Sequence, residues 1–199
     1  THTKQKYWLS CESNSATYFA NHFLENKISE INIIDSLPKN TSKITKIWKN
    51  YERWNPNLEF VWDIKKWVQT ISKSKLTWYW VYANPISKVL NDFWVKNRVW
   101  WFSEFVIKNN ILNNKPVIFW YLSNTDGWWP NYNPVIWYSL WVEIRWYIWE
   151  HTWVIVWYDT DNLWNISKIY FYEWHNLEIQ SMDFLEATKR ASVFDMMIY

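Results

Sequence analysis

Apolar positions recur with helical spacing in the N-terminal part of the chain and with strand spacing in the C-terminal part. Ala16, Phe19, Ala20, Phe23 and Leu24 fall at i, i+3, i+4, i+7 and i+8. This predicts an amphipathic helix of about four turns, starting at or near Cys11 and ending at Asn26-Lys27. A shorter helix is expected over Ser29 to Leu37, before Pro38. Lys39 to Lys75 is polar and turn-rich and reads as connecting structure with a short helix. Asn84-Pro85 opens a further helix, with Ile86, Val89, Leu90 and Phe93 on one face and Pro at an N-terminal position. Ser103-Glu104 caps another, running to Asn109.

Beyond Lys115 the period changes. Pro116 to Leu122 and Thr152 to Tyr158 are strand-like apolar runs, and Ile166 to Tyr172 sets Ile169 and Phe171 against Lys168 and Tyr170. Asp183 to Arg190 reads as a helix and Val193 to Tyr199 as a closing strand. Helices followed by an antiparallel sheet give an α+β class, not a βαβ series. The expectation is one domain, with a helical half at about 1–112 and a sheet half at about 113–199.

Composition alters this picture at specific places. The 199 residues include 21 Trp and a single Gly, Gly127, whereas average usage would give about 14 Gly in a chain of this size. Several tryptophans stand where glycine chemistry is wanted. Trp164 lies in the polar turn Asp159 to Asn165, Trp94 follows a helix at the position where Gly closes it, and Trp54 precedes Asn55-Pro56-Asn57. Two explanations are open. These tryptophans occupy glycine positions, as when a codon read as Gly is translated as Trp, or the chain is a Trp-rich binding protein. The first predicts φ > 0 at Trp164 and Trp94.

Charge and cysteine content exclude several classes. Lys plus Arg is 21 and Asp plus Glu is 19, net +2, with no basic stripe, which argues against a dedicated nucleic-acid binder. The longest apolar runs fall short of the roughly 20 residues of a membrane span. The chain opens on the polar stretch Thr1 to Lys6 without an initiator Met. The expectation is of an upstream segment and, with it, an exported or cell-surface protein. The sole cysteine, Cys11, has no disulfide partner, and His2, His22, His151 and His175 show no ligand spacing. Neither a metal nor an organic cofactor is expected.

A thiol becomes nucleophilic where its pKa is lowered, and a helix N-terminus is such a place. Cys11 begins the first helix, Gln5 lies six residues before it, and His151 opens a strand late in the chain. A histidine distant in sequence can serve such a cysteine as base, though from position alone an inert core or surface thiol is the default for Cys11.

The segment Gln5-Lys6-Tyr7-Trp8-Leu9-Ser10-Cys11-Glu12-Ser13, followed by a helix, resembles the active-site segment of papain-like cysteine peptidases. It is most similar to the bacterial family related to the double-glycine leader (bacteriocin-processing) peptidases. Phe60 to Asp63, Leu76 to Pro85 and Glu150 to Asp159 agree when Trp62, Trp78, Trp80, Trp153 and Trp157 are read as Gly. The resemblance spans nearly the whole chain. It implies a papain-like fold with the substrate cleft between the two halves, and a monomer acting on a peptide or protein. Cys11 would be the nucleophile and His151 the base, while the Gln5 side-chain amide would join the Cys11 N–H in holding the oxyanion. Glu173, or else Asn176, would orient His151, where the family usually has Asp or Asn. A catalytically inactive, peptide-binding relative and an aromatic-rich cell-surface or carbohydrate binder are the rivals.

Weaker signals have plain explanations. Asp159 to Ile166 looks like the first half of a calcium loop, but Leu163 and Tyr170 occupy ligand positions, so a hairpin turn is expected. His175 beside Glu173 reads as a surface loop histidine, and His22 is assigned no role. Trp128-Trp129-Pro130, with Trp120, Tyr132 and Trp137, forms either an aromatic substrate groove or a loop packed on the sheet.

Overall fold

A computed structural model describes residues 4–7, 10–40, 45–47, 50–52, 55–61, 81–123, 132, 134–147, 150–172 and 178–199. Helix α1 runs from Cys11 to Phe23. It stops before Asn26 because Leu24 is extended, and because Asn21 pairs through its side chain with both the N–H and the C=O of Ile28, each at 2.8 Å. Lys27 Nζ donates to the carbonyls of Asn21 and Leu24, each at 2.6 Å, covering the helix C-terminus where a cation is favoured. Helix α2, Glu30–Ser36, begins at a capping box in which Ser29 and Asn32 each bond the other's backbone.

The connecting region supplies short strands, β1 (Lys39–Asn40), β2 (Thr45–Ile47), β3 (Asn50–Glu52) and β4 (Phe60–Val61). The helix expected in this region does not lie within the described part of 39–61, which forms strands and turns. Helix α3 is Ala83–Asp92, with Pro85 in its first turn, where the missing N–H removes no bond. Strand β5 (Val99–Trp100) precedes α4 (Glu104–Leu112), which Ser103 caps by accepting from the Val106 N–H.

Strand β6 (Val117–Leu122) is buried throughout. A hairpin not foreseen from sequence, β7 (Val135–Ser139) and β8 (Val142–Trp146), follows it. The long β9 (Glu150–Thr160) and β10 (Ile166–Tyr172) form the expected hairpin. Strand β11 (Ile179–Asp183) leads into α5 (Phe184–Ala191), where Asp183 accepts from the N–H groups of Leu185 and Glu186. The closing strand β12 is only Met197–Ile198, because the chain turns where Phe194 and Asp195 N–H bond back to the Ala191 carbonyl.

The main sheet is six-stranded and antiparallel, in the order β11-β10-β9-β6-β12-β5. It carries helices on both faces. One core joins α1, α2 and α3 to Ile118, Trp120, Leu122 and Val154. The other joins α4 and α5 to Val117, Phe119, Tyr121, Ile155, Ile169 and Phe171. Trp120 is fully buried, and its indole N–H donates to the Val81 carbonyl at 3.2 Å, so its polar handle is satisfied and the chain before α3 is tied to the sheet. Among the described residues, no helix is long and apolar enough to cross a membrane.

Among the described residues, three tryptophans adopt the left-handed conformation: Trp94 at φ 63°, Trp164 at φ 66° and Trp141 at φ 70°. Trp94 and Trp164 are two positions where the turn chemistry calls for Gly, and all three side chains project into solvent.

Candidate active site

The site is built where the N-terminus of α1 meets the start of β9. Cys11 is the first helical residue and is fully buried. Ser10 sits at the cap position, but its hydroxyl points away from the helix, where its one proton has the Glu30 carboxylate and the Tyr7 carbonyl, the latter at 2.8 Å, as acceptors. The Glu30 carboxylate, at the start of α2, gathers this segment. It accepts from the Lys6 N–H through both oxygens at 3.1 Å, from Asn14 Nδ2 at 2.9 Å and from Ser10 Oγ. One carboxylate thus fixes residues on both sides of Cys11. Burial pushes the Glu30 carboxyl above its ordinary value, with the bonds from Ser10, Asn14 and Lys6 pulling the other way.

The Cys11 thiol donates to Glu12 Oε2 at 3.2 Å, and the other Glu12 oxygen accepts from the Val81 N–H at 3.2 Å. Burial, then the charges of Glu12 and Glu150, push the thiol well above its ordinary value, while a backbone bond from Thr152 opposes them. A helix N-terminus by itself would lower that value. Desolvation and two carboxylates outweigh it here. Glu12 is itself pushed up to about 8 by burial. Glu150 is fully buried with neither carboxyl oxygen hydrogen-bonded, and burial followed by the Glu12 charge raises it well above a normal carboxylate.

Strand alternation decides which β9 side chains meet α1. Thr152 Oγ1 lies 3.1 Å from Ser15 Oγ of α1, so Thr152 and, two residues before it, Glu150 face the helix. His151 lies between them. It is buried and opposite Tyr121 in β6, with the two ring centroids 6.3 Å apart. Trp153 continues that face, its ring 3.6 Å from Tyr121 and 3.7 Å from Phe171. Cys11 and His151 therefore stand at one end of the sheet on adjoining elements, but the imidazole lies on the face away from α1, beside Tyr121, and the thiol's hydrogen bond goes to Glu12.

Gln5 is half-buried, and its side-chain N–H₂ donates to the Tyr7 carbonyl within its own loop. Glu173, Asn176 and His175 lie outside the described residues; β10 is described to Tyr172, whose ring packs 4.8 Å from Tyr18 of α1. Trp128, Trp129 and Pro130 are likewise outside them, while Trp120 belongs to the core. Sequence reasoning missed Glu12, Glu30 and Glu150. Glu12 and Glu150 adjoin Cys11 and His151, and that adjacency was the one signal available.

No protein-family model matches the chain, and no curated protein matches it. Among solved structures, the chain is similar over 100% of its length to a crystal structure from Bacillus anthracis, described as a presumed C39-like peptidase. The match covers 92% of that chain, with a TM-score of 0.74 and 14% identity. N-terminal helices, a following antiparallel sheet and this likeness establish the papain-like, C39-like peptidase fold.

Proposed function

We infer that the chain is a thiol-dependent peptidase that cleaves a peptide bond through Cys11. The observation that carries this reading is the placement of the only thiol as the first residue of a buried helix, beside the strand that bears His151, in a C39-like peptidase fold. In the proposed reaction the Cys11 sulfur attacks the scissile carbonyl carbon, and His151, which must first turn from the face it shares with Tyr121, takes the thiol proton. The tetrahedral oxyanion is held by the Cys11 N–H and the Gln5 amide. Collapse breaks the C–N bond, the amine leaves with the proton from His151, and water then hydrolyses the thioester. Glu173, or else Asn176, orients the imidazole. Substrate is a peptide or protein lying in the cleft between the helices and the sheet.

A specific observation favours a second reading, a relative that binds peptides without cleaving them. The thiol is bonded to a carboxylate, and the Gln5 amide is spent on Tyr7. Turnover separates the two. Wild-type protein is incubated with a mixed peptide library beside Cys11→Ala and His151→Ala, and products are read by mass spectrometry. Cleavage lost in both variants, with circular dichroism unchanged, is the expected result; cleavage that persists in Cys11→Ala overturns the peptidase reading.

The tryptophans at φ 63° to 70° support a companion proposal, that Trp94, Trp141 and Trp164 occupy glycine positions of this fold. The coding DNA together with an intact mass tests it, because each Trp/Gly exchange changes the mass by a whole indole side chain.

A further inference from the structure

Two buried carboxyl groups at the thiol have no part in the peptidase chemistry above. Glu12 bonds the Cys11 sulfur and the Val81 N–H; Glu150, one residue before His151, is fully buried with both oxygens unsatisfied. Burial raises both carboxyls, the Glu12 charge raises Glu150 further, and no cationic side chain bonds either of them among the described residues. Carboxyl groups buried this way, with no cation to pair them, resist ionisation.

Other ionisable groups around α1 do not supply the missing counter-charge. From α2 comes Glu30, another carboxyl, already held by Ser10, Asn14 and Lys6 N–H. The segment before α1 carries Lys6 and Tyr7, with Lys6 exposed. Lys88 and Asp92 of α3 are exposed, and the Tyr82 hydroxyl donates to the Arg145 carbonyl at 2.8 Å. On the sheet, His151 and Tyr121 share the opposite face.

We propose that Glu12, bonded to the Cys11 sulfur, and the buried, unpartnered Glu150 act as positioning residues that keep the nucleophile protonated at rest. Negative charge on either carboxyl opposes a second one on sulfur, and the thiol keeps its hydrogen directed at Glu12 Oε2. Ionisation of Cys11 then requires that the pair be neutralised or turned away, as when substrate and imidazole take up the site. The inference rests on Cys11 being the functional thiol, but its test reads alkylation and not turnover, so the two can fail separately.

The experiment is the rate of iodoacetamide labelling of Cys11 against pH, followed by intact mass, in wild type, Glu12→Gln and Glu150→Gln. Wild type should show a midpoint above the ordinary thiol value of about 8.5. Each Gln variant should lower the midpoint by about one pH unit, so labelling below it speeds up about tenfold. Glu30→Gln serves as the control: loosening the loop changes the rate at every pH and leaves the midpoint in place. A midpoint that stays put or rises in both Glu12→Gln and Glu150→Gln overturns the proposal. Should Glu12→Gln fail to fold, Glu150→Gln decides alone.

Discussion

The two ends of β9 treat their carboxyl groups in opposite ways. At the far end Asp161 is exposed and fully engaged. One oxygen accepts from the N–H groups of Leu163 and Asn165 at 2.8 and 2.9 Å, and the other from Asn165 Nδ2 at 3.2 Å. The Asn165 N–H, first among these, holds its carboxyl below the ordinary value. At the near end Glu150 is buried and bonded to nothing, beside a Glu12 pushed up to about 8. A turn needs only its own five residues to satisfy its polar groups. The near end instead holds groups from α1, the chain before α3 and β9 in an arrangement that costs stability, the kind of local conflict expected where a fold serves a site.

Glu30 is the exception at the buried end, and it sets the scale of the comparison. Its carboxylate satisfies Lys6 N–H, Ser10 and Asn14 together. Glu30→Ala removes the acceptor these three donors share and should cost about 1 to 2 kcal/mol, the scale of a lost buried hydrogen-bond partner to a charged group. Urea denaturation followed by tryptophan fluorescence measures it. A loss comparable to that of an exposed substitution, under about 0.5 kcal/mol, would show that this network does not organise the segment before Cys11.

The two ends should also respond to pH with opposite sign. Glu12 and Glu150 are raised above the ordinary 4.5 in the folded protein, so the stability linked to their protonation is complete below that value. It is lost as pH rises through the folded value, about 8 for Glu12. Asp161 is lowered below its ordinary 3.8, so its contribution is present above that value and is lost as pH falls through the folded one. The melting temperature should therefore decline between pH about 4.5 and 8, and Glu150→Gln should flatten that decline by removing one of the two groups. A Glu150→Gln curve parallel to wild type would separate Glu150 from the pair.

How far each end was legible follows from where its partners lie. Asp161, Asn165 and Trp164 are neighbours in sequence, so the hairpin and its left-handed residue could be read directly. Helices α2, α4 and α5 were legible for the same reason, through Ser29, Ser103 and Asp183. Strands β5, β7, β8 and β11 were not. They are two to five residues long, and β5 at the sheet edge is fixed by β12 about a hundred residues away. At the site, Cys11 and His151 stood out by residue type and position. Glu12 and Glu150 acquire their properties only when α1 lies on β9, and nothing in either local sequence marks a carboxyl that will be buried without a cation. The face that His151 takes on β9 was equally hidden, because it depends on register with Tyr121 and on where the Trp153 ring packs.

The smallest expected effect belongs to the well-satisfied end. Trp164 holds φ 66° in the β9–β10 turn, its N–H bonded to the Asp161 carbonyl at 3.1 Å, with its side chain 78% exposed. A side chain so exposed returns little packing energy, so the left-handed backbone cost is nearly uncompensated. Trp164→Gly removes a cost of about 1 kcal/mol. Part of the gain is offset by the greater freedom of Gly in the unfolded chain. A net increase of about 0.5 kcal/mol is expected in chemical denaturation. If Trp164→Gly destabilises instead, the indole at 164 contributes more than its backbone costs, and the glycine-position reading fails at the site where the local turn chemistry supports it best.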